Sequence, residues 1–582
     1  MNAQELDQIR HSLAHLLATA VLEEDPNAKL AIGPTIETGF YYDFELSPEF
    51  SLDEAMLKKL TKRMRSLVKR GIDFSGEAVT AEDARKRWED QPYKLELIDE
   101  FSSDGKELTA YTSGDFTDLC RGGHVENTKE IPVDAFKLDR VAGAYWRGDE
   151  ANTMLTRIYG LAFATKEELD TYLEQREEAK KRDHRKLGRE LDLFTFSDLV
   201  GPGLPLWTPR GTMIRTLLDT YVWELRSVYG YDRVTIPHIT KRALYETSGH
   251  WDKFAEELFR IKTREDKEFA LKPMNCPHHT QIYNHIPRSY RDMPQRYAET
   301  TTVYRDEQSG ELGGLTRVVS ITQDDSHIFC RTSQIKQEFN AIWDIIDTFY
   351  RTFDFEIHAR LSFHDPEHFE QCLGTEDVWK TAESALTDIA KERGAEYTIA
   401  IGEAAMYGPK LDFMATDSLG REHQVATIQL DMNLPDRFNL TCTNEDGKEE
   451  RIVMIHSAIM GSIERFTAVL IEHLYGNFPL WLSPEQVRIL PIGEAHREYA
   501  QSVLDHLTDS GIRAKIDGGD ETLGKRIRQV KHDRLPYFIV IGDQEVSEKT
   551  AMLEGRAGKV GALTIDDLIE RFKSEISERK SG

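Results

Sequence analysis

The sequence predicts a multidomain α+β protein, and three observations carry that expectation. At 582 residues the chain exceeds what one hydrophobic core can bury, so three or four domains are expected. Its apolar residues change period, from a 3.6-residue repeat over residues 6–23, with Leu13, Leu16, Leu17 and Val21 on one side, to strand-like alternation in Val425-Ala-Thr-Ile-Gln-Leu-Asp431. Strand-like stretches joined by a glycine-containing loop, the mark of an antiparallel hairpin, lie mid-chain, whereas strands and helices alternate near the end.

Composition narrows the function classes. Hydrophobic residues at 40% and charged residues at 30% describe an ordinary globular chain. No apolar run approaches the roughly 18 residues of a membrane helix, and Met1-Asn-Ala-Gln-Glu-Leu-Asp-Gln has no signal-peptide form. Cys120, Cys276, Cys330, Cys372 and Cys442 are odd in number and far apart, which favours reduced thiols and a cytoplasmic location over a disulfide framework. A net charge of −27 argues against bulk attraction to nucleic acid, so any RNA contact must come from local patches such as residues 180–186 and 524–534.

In the N-terminal helix His11 and His15 are four apart and so share a face. Taken alone, such a pair is more often a surface pair or core filler than a site. About a hundred residues on, Asp118-Leu-Cys-Arg-Gly-Gly-His124 sets a thiol and an imidazole four apart beside a carboxylate. The two pairs could form a zinc site by ligand type, or equally a pocket for hydrolytic water. Residues 165–190 are rich in helix formers and i,i+4 acid–base pairs with few apolar positions, which predicts one connecting helix, polar on most sides.

The central segment, residues 191–482, opens with a predicted helix over 210–229 and a strand over 232–237. Its focus is residues 300–329, read as strands 301–305 and 316–322 joined by a loop containing Gly310, Gly313 and Gly314. Arg305 and Arg317 fall on the two strands, and Gln323, Asp324, Asp325 and His327 crowd the exit of the second. Two guanidinium forks on one hairpin suit a polyphosphate, although pairing with Asp306 and Glu307 is the commoner fate of such arginines. Cys276, in Met274-Asn-Cys-Pro-His-His279, reads by itself as a buried small residue, and nothing near it has zinc-motif spacing. After about residue 485, strand 487–492, a helix to Ser510, strand Ala514–Ile516, basic helix 524–534 and strand Tyr537–Ile541 predict a small α/β domain with a largely parallel sheet.

Taken together these stretches resemble the class II aminoacyl-tRNA synthetases, and within them the threonyl-tRNA synthetase family. The hairpin resembles motif 2, helix 210–229 with its strand resembles motif 1, and Ile-Met-Gly-Ser-Ile-Glu-Arg-Phe-Thr-Ala-Val over 459–469 resembles motif 3. Residues 1–165 are similar to the editing domain shared by threonyl and alanyl enzymes, 166–190 to its linker, 191–482 to the antiparallel-sheet catalytic core and 483–582 to the α/β anticodon-binding domain. The expected form lacks the family's N-terminal ubiquitin-like domain. The implied reaction is activation of threonine by ATP and transfer to the 3′ end of tRNA(Thr), with hydrolysis of mischarged Ser-tRNA(Thr) in the N-terminal pocket. The implied partners are threonine, ATP with Mg²⁺, tRNA(Thr) and a second copy of the chain, with no membrane.

The resemblance also assigns residues. Cys276, His327 and His456 are the implied ligands of one Zn²⁺ per chain. Arg305 is assigned the α-phosphate, Arg317 the γ-phosphate and Arg465 the adenine face. Gln323, Met274, Tyr407, Lys410, Gln424, Thr427, Gln429 and Ser462 surround the adenylate, and Asp325 meets the threonine hydroxyl. His250 is a candidate for assisting transfer. His11, His15, Cys120 and His124, with Lys94, Tyr111 and Asp118, form the implied editing pocket, expected to work without a metal. Asp520 and Glu545 are the implied anticodon contacts. Zinc and editing divide one specificity problem: a metal that demands a hydroxyl rejects valine, whereas serine, smaller by one methyl worth ~1–3 kcal/mol, must be removed afterwards. The chain departs from the family pattern at Ile321, His278, Val319, Ser457, Glu554 and the arginine-free Asp517-Gly-Gly-Asp-Glu521. Two rivals share these features, a stand-alone deacylase and an RNA-binding regulator without activation, and the retained arginines and ligand set weigh against both.

Overall fold

The computed structural model describes residues 1–580. The chain divides into two compact units, residues 1–178 and 179–582. No helix among the described residues is long and apolar enough to cross a membrane.

In the first unit, helices Ala3–Glu24 and Glu54–Arg70 cover a sheet whose main path runs Lys29–Leu30, Gly39–Glu45, Met154–Ala162, Phe136–Tyr145. Leu13, Leu16, Leu17 and Val21, the stripe predicted from periodicity, are buried with Phe40, Phe44, Leu60 and Met64. Asn2 starts the first helix by accepting from Glu5 N–H, while the Glu5 carboxylate returns to Asn2 N–H. A separate three-stranded sheet, Phe74–Val79, Leu108–Ser113, Phe116–Leu119, delivers Asp118 and Cys120.

The single connecting helix expected over 165–190 is two helices, Lys166–Arg182 and His184–Glu190. Asp183 separates them, its non-helical backbone leaving the carboxylate to accept from Arg185 N–H as an N-cap. Helix propensity could not locate this break, because an aspartate inside a run of helix formers reads equally as a surface residue.

The second unit is built on an eight-stranded sheet in the order Asp232–Arg233, Gln295–Tyr304, Ser320–Cys330, Val453–Ser462, Glu422–Asp431, Lys410–Thr416, Glu356–Phe363, Tyr397–Ile401. Only the two outermost pairings are parallel. The inner pairings are antiparallel. Helices Pro209–Ser227, Ile335–Arg351, Glu376–Glu392 and Ile463–His473 bury one face through Ile214, Ile346, Phe349, Leu386 and Phe466 against Leu411, Phe413, Ile428 and Ile455. The opposite face is left to polar residues.

Two hairpin expectations need correction. The strands are Gln295–Tyr304 and Ser320–Cys330, longer than predicted, and neither Arg305 nor Arg317 lies on them. Both sit in the connection, where Gly314, at φ +60°, and a turn closed from Gly313 N–H to Arg317 O take the chain out of strand geometry. Likewise, only Asp232–Arg233 of the predicted strand 232–237 pairs in the sheet. In residues 487–564 the sheet order is Ala514–Ile516, Val487–Pro491, Tyr537–Ile541, Thr550–Gly555, Gly558–Thr564. Three strands are parallel and the last two antiparallel, so the sheet is mixed rather than largely parallel.

Candidate functional site

Register assembles the central site. Residues directly opposite on neighbouring strands share a face, and two such rows cross the polar face of the large sheet. One runs His327, His456, Gln429, Lys410; the next runs Asp325, Ala458, Thr427, Asp412. Gln323 lies opposite Ser462, with the register shift between Gln323 and Asp325. Cys276 joins them from the first turn of helix Cys276–Asn284.

Two cavities open on these rows. The smaller, about 190 Å³, is lined by Met274, Cys276, Asp325, His327, Tyr407, Gln429 and His456 among others. The larger, about 530 Å³, is lined by Arg317, Ile321, Lys410, Gln424, Ser462 and Arg465 among others. Arg305, Gln323, Thr427 and Gly461 line both, so the two meet along a shared wall.

At the base of the smaller cavity Cys276, His327 and His456 each offer a ligand atom, all within 4.8 Å of one another and all buried. A thiol with two imidazoles suits zinc and leaves an open position. The rings are oriented from behind: His456 Nε2 lies 3.0 Å from Asp431 Oδ2, and His327 Nδ1 lies 2.8 Å from His279 Nδ1. In each ring this leaves the other nitrogen for a metal, the arrangement usual behind ligating histidines. Burial drives His327 well below its ordinary range and the Cys276 thiol well above it. These residues fit the metal.

Around that base Tyr407 O–H donates to Gln429 Oε1 at 2.6 Å, and its ring stacks on His456 at 4.7 Å. Asn275 Nδ2 donates to Asp325 Oδ2 at 2.9 Å. In the larger cavity Arg317 is half exposed and paired with Glu307 at 2.7 Å and Glu311 at 2.8 Å, while Arg305 stands 3.8 Å from Glu257. Ser462 caps helix Ile463–His473 by accepting from Arg465 N–H.

Asp412 is a residue of the site that sequence reasoning passed over. Fully buried, its carboxylate accepts from Gln424 Nε2 at 2.9 Å, Thr427 Oγ1 at 2.8 Å and Ser362 Oγ at 2.8 Å, and lies 3.2 Å from Lys410 Nζ. It therefore fixes three of the predicted binding residues. The available signal was the alternation Lys410-Leu-Asp412, which places it on the same strand face as Lys410.

His250 lines neither cavity. It is fully buried, with Nε2 3.1 Å from Met274 Sδ and 4.0 Å from Cys276 Sγ, and burial pulls it down to about 3. Glu545 is also buried and accepts from Gly542 N–H at the start of its own helix, whereas Asp520 is exposed on the 517–522 loop. The other departures have distinct settings. Ile321 is an aliphatic wall of the larger cavity, Ser457 Oγ lies 2.7 Å from Ser326 Oγ, and Val319 N–H donates to Gly203 O. His278 is buried with no hydrogen-bond partner for either ring nitrogen among the described residues.

The first unit holds a cavity of about 710 Å³, lined by His11, His15, Tyr42, Lys94, Asp118 and Cys120 among others. Cys120 Sγ lies 3.3 Å from His11 Nε2 and 3.2 Å from His124 Nε2. His11 stacks on His124 at 4.2 Å, and Tyr111 tilts onto His124 at 4.9 Å. Beneath them Asp118 receives Tyr42 O–H at 2.6 Å, pairs with Lys94 at 2.6 Å and stands 4.0 Å from His15. The sequence picked out every one of these residues except Tyr42. Gly122 and Gly123 have φ of +89° and +81°, and a Cβ on Gly122 would fall 2.5 Å from Tyr111 Oη, so the loop admits little else there. Burial pulls His124 down to about 2 and pushes Cys120 up to about 11. All four donors lie within 4.8 Å, so the cluster also fits a metal by type and spacing.

Comparison with known proteins agrees on all three segments. Residues 259–474 match the tRNA synthetase class II core domain (G, H, P, S and T), 486–575 an anticodon binding domain, and 108–159 the threonyl and alanyl tRNA synthetase second additional domain. The threonine–tRNA ligase of Gloeobacter violaceus is 47% identical over 589 aligned residues, covering 99% of this chain and 93% of the relative. The chain belongs to the threonine–tRNA ligase family. The threonine–tRNA ligase of Porphyromonas gingivalis is 48% identical over 98% of this chain and 88% of its own length. Among solved structures, the RNA-binding domain of threonyl-tRNA synthetase from Cryptosporidium parvum superposes with a TM-score of 0.65 at 39% identity, covering 68% of this chain and 98% of that one. As a member of this family the chain is an aminoacyl-tRNA ligase with an editing domain.

Proposed function

We propose that this chain activates threonine with ATP in the joined cavities of the large sheet, transfers it to tRNA(Thr), and hydrolyses Ser-tRNA(Thr) in the N-terminal pocket. The observation that carries the reading is the shared wall: a small cavity over a Cys-His-His base has Arg305, Gln323, Thr427 and Gly461 in common with a larger one lined by three arginines.

Threonine occupies the smaller cavity. Cys276, His327 and His456 would hold zinc, which when bound supplies a Lewis-acid position for the amino group and hydroxyl of the substrate. Asp325, held by Asn275, accepts the threonine O–H, a partner that valine cannot provide. ATP enters the larger cavity as its Mg²⁺ complex. Arg305 lies at the junction and so faces the α-phosphate where the threonine carboxylate attacks; Arg317, farther out, takes the γ-phosphate, leaving Glu307 and Glu311 to do so. Arg465 stacks on adenine, with Ile321 as an aliphatic wall. Gln323 and Thr427 span the junction and hold the adenylate, and Lys410 and Gln424 are aimed by Asp412. Met274 and Tyr407 close the threonine side, and Tyr407 also fixes Gln429. Phosphoryl-type transition states are stabilised by such positioned charge more than by covalent chemistry. His250, buried behind Met274 and Cys276, is assigned to holding that wall rather than to transfer.

In the N-terminal pocket the neutral imidazoles of His11, His15 and His124 surround a neutral Cys120 thiol. They orient water against the seryl ester, while Lys94, Tyr42 and Asp118 hold the far wall. For tRNA, Asp520 is the accessible candidate of the two anticodon residues. Two copies pair through helix Pro209–Ser227 and its flanks, where Leu199, Val200, Leu206 and Met213 are exposed. Five free thiols suit a reducing, cytoplasmic setting.

The test is threonine-dependent ATP–pyrophosphate exchange on purified protein with metal content measured on the same sample. Exchange with threonine, weaker exchange with serine, none with valine and one zinc per chain support the reading. Two zincs per chain would show that the editing cluster is loaded as well. A folded, zinc-loaded sample without exchange overturns it.

A further inference from the structure

We propose that His184, on the segment that enters the second unit, is a positioning residue for ATP, acting through the loop that carries Arg317. The inference rests on the reading of Arg317 as a phosphate-binding residue.

His184 is buried at the start of helix His184–Glu190. Its ring makes two directed contacts. Leu315 N–H donates to Nε2 at 3.1 Å, and Nδ1 lies 2.7 Å from Glu472 Oε1. A backbone N–H can only donate, so Nε2 must be the bare nitrogen and Nδ1 must carry the proton given to Glu472. One ring thus joins the Arg317 loop to the last turn of helix Ile463–His473, whose first turn carries Arg465. Glu472 is fixed in turn by Arg421 at 2.7 Å on its other oxygen.

The contact governs Arg317 because the loop is closed around it. Gly313 N–H donates to Arg317 O, and Thr316 N–H to Gly313 O, making residues 313–317 one compact turn. Leu315, fully buried, is its midpoint, two residues from Arg317. The approach leaves no room for a side chain. Gly314 has φ of +60°, and a Cβ there would lie 2.4 Å from His184 Nε2 and 2.8 Å from Arg185 Cγ. This accounts for a glycine that neither a phosphate contact nor a strand explains.

Asp183, His184 and Glu472 also come close enough to suggest a metal site. Their donors are already engaged, however. Asp183 accepts from Arg185, both ring nitrogens of His184 are bonded, and each Glu472 oxygen accepts a hydrogen bond.

The proposal separates two conservative variants. In His184→Gln the amide oxygen can reach the Nε2 position and accept from Leu315 N–H. In His184→Asn the shorter amide can serve Glu472 but not Leu315. ATP–pyrophosphate exchange should show an ATP KM raised about fivefold to tenfold in His184→Asn and in Gly314→Ala, the scale of one lost buried hydrogen bond. His184→Gln should return to within about threefold of wild type, and threonine KM should stay within about twofold throughout. Equal behaviour of Gln and Asn, or threonine KM rising in step with ATP KM, overturns the proposal. If His184→Asn does not fold, Gly314→Ala decides, since it leaves the histidine in place. Arg317→Ala is the control. A raised ATP KM there with normal His184 variants refutes the positioning role alone, whereas an unchanged one refutes the phosphate assignment on which it rests.

Discussion

The editing pocket shows at the residue scale how burial selects a protonation state. His124 is held neutral down to about pH 2 by burial and by the neighbouring His15 and His11, whereas the unfolded imidazole takes a proton near pH 6.5. Below pH 6.5 the unfolded chain therefore binds the extra proton, and this group's contribution to stability is lost as pH falls. The slope is at most about 1.4 kcal/mol per pH unit for one histidine. Thermal unfolding of the editing unit should accordingly weaken between pH 7 and pH 5, and His124→Phe should flatten that dependence. A profile that is level in the wild type would show that the ring protonates in the folded state. The residues themselves were visible in the sequence, because HxxxH and CxxxH are local patterns. Tyr42 and Asp412 were not, because a buried tyrosine or aspartate in a strand reads as core or as surface until its partners are placed around it.

Local patterns become insufficient at the scale of elements. Cys276, His327 and His456 lie on a helix and two strands far apart in sequence; strand register sets the two histidines opposite each other, and the packed helix brings in the cysteine. The stretches that supply them could be matched to a family, but no spacing rule in the chain predicts that His327 falls opposite His456. The hairpin shows the reverse failure. Alternating residues near Arg305 and Arg317 look like strand, yet Gly313 and Gly314 form a turn that takes Arg317 off the sheet, and Arg305 falls one residue past the strand end at Tyr304.

The same strand carries a second constraint. Asp324, fully buried, accepts from Ile459 N–H at 2.8 Å and Met460 N–H at 3.0 Å and pairs with Arg226 at 3.3 Å. It ties the Pro209–Ser227 helix and the Val453–Ser462 strand to the strand that bears Gln323 and His327. Asp324→Ala leaves Arg226 buried without its charge partner, which costs about 3–5 kcal/mol. Urea unfolding should register that loss in the second unit, and a loss below about 1 kcal/mol would show that the arginine finds water instead.

For the whole molecule the question is how a chain of net charge −27 holds a polyanion. Local positive surface must do so against an adverse mean field. Helix Leu523–His532 presents Lys525, Arg528 and Lys531 to solvent, while Arg526 turns inward to the carbonyls of Asp517 and Pro491. Arg528→Ala should weaken tRNA(Thr) binding and reduce the slope of log affinity against log salt by about 1. An unchanged slope would place the RNA elsewhere. The basic run was plain in the sequence; which of its residues face outward was decided by the packing of Arg526 and Val530 beneath the helix.

The shared wall of the two central cavities has a kinetic consequence. In the proposed assignment threonine and ATP each take one chamber and leave independently. On that assignment the adenylate that joins them spans both, and it escapes only when both halves let go together. Release of one half leaves the other tethered at high effective concentration, so rebinding outpaces loss. Covalent bond formation thus converts two short-lived guests into one of long residence, held until an acceptor arrives.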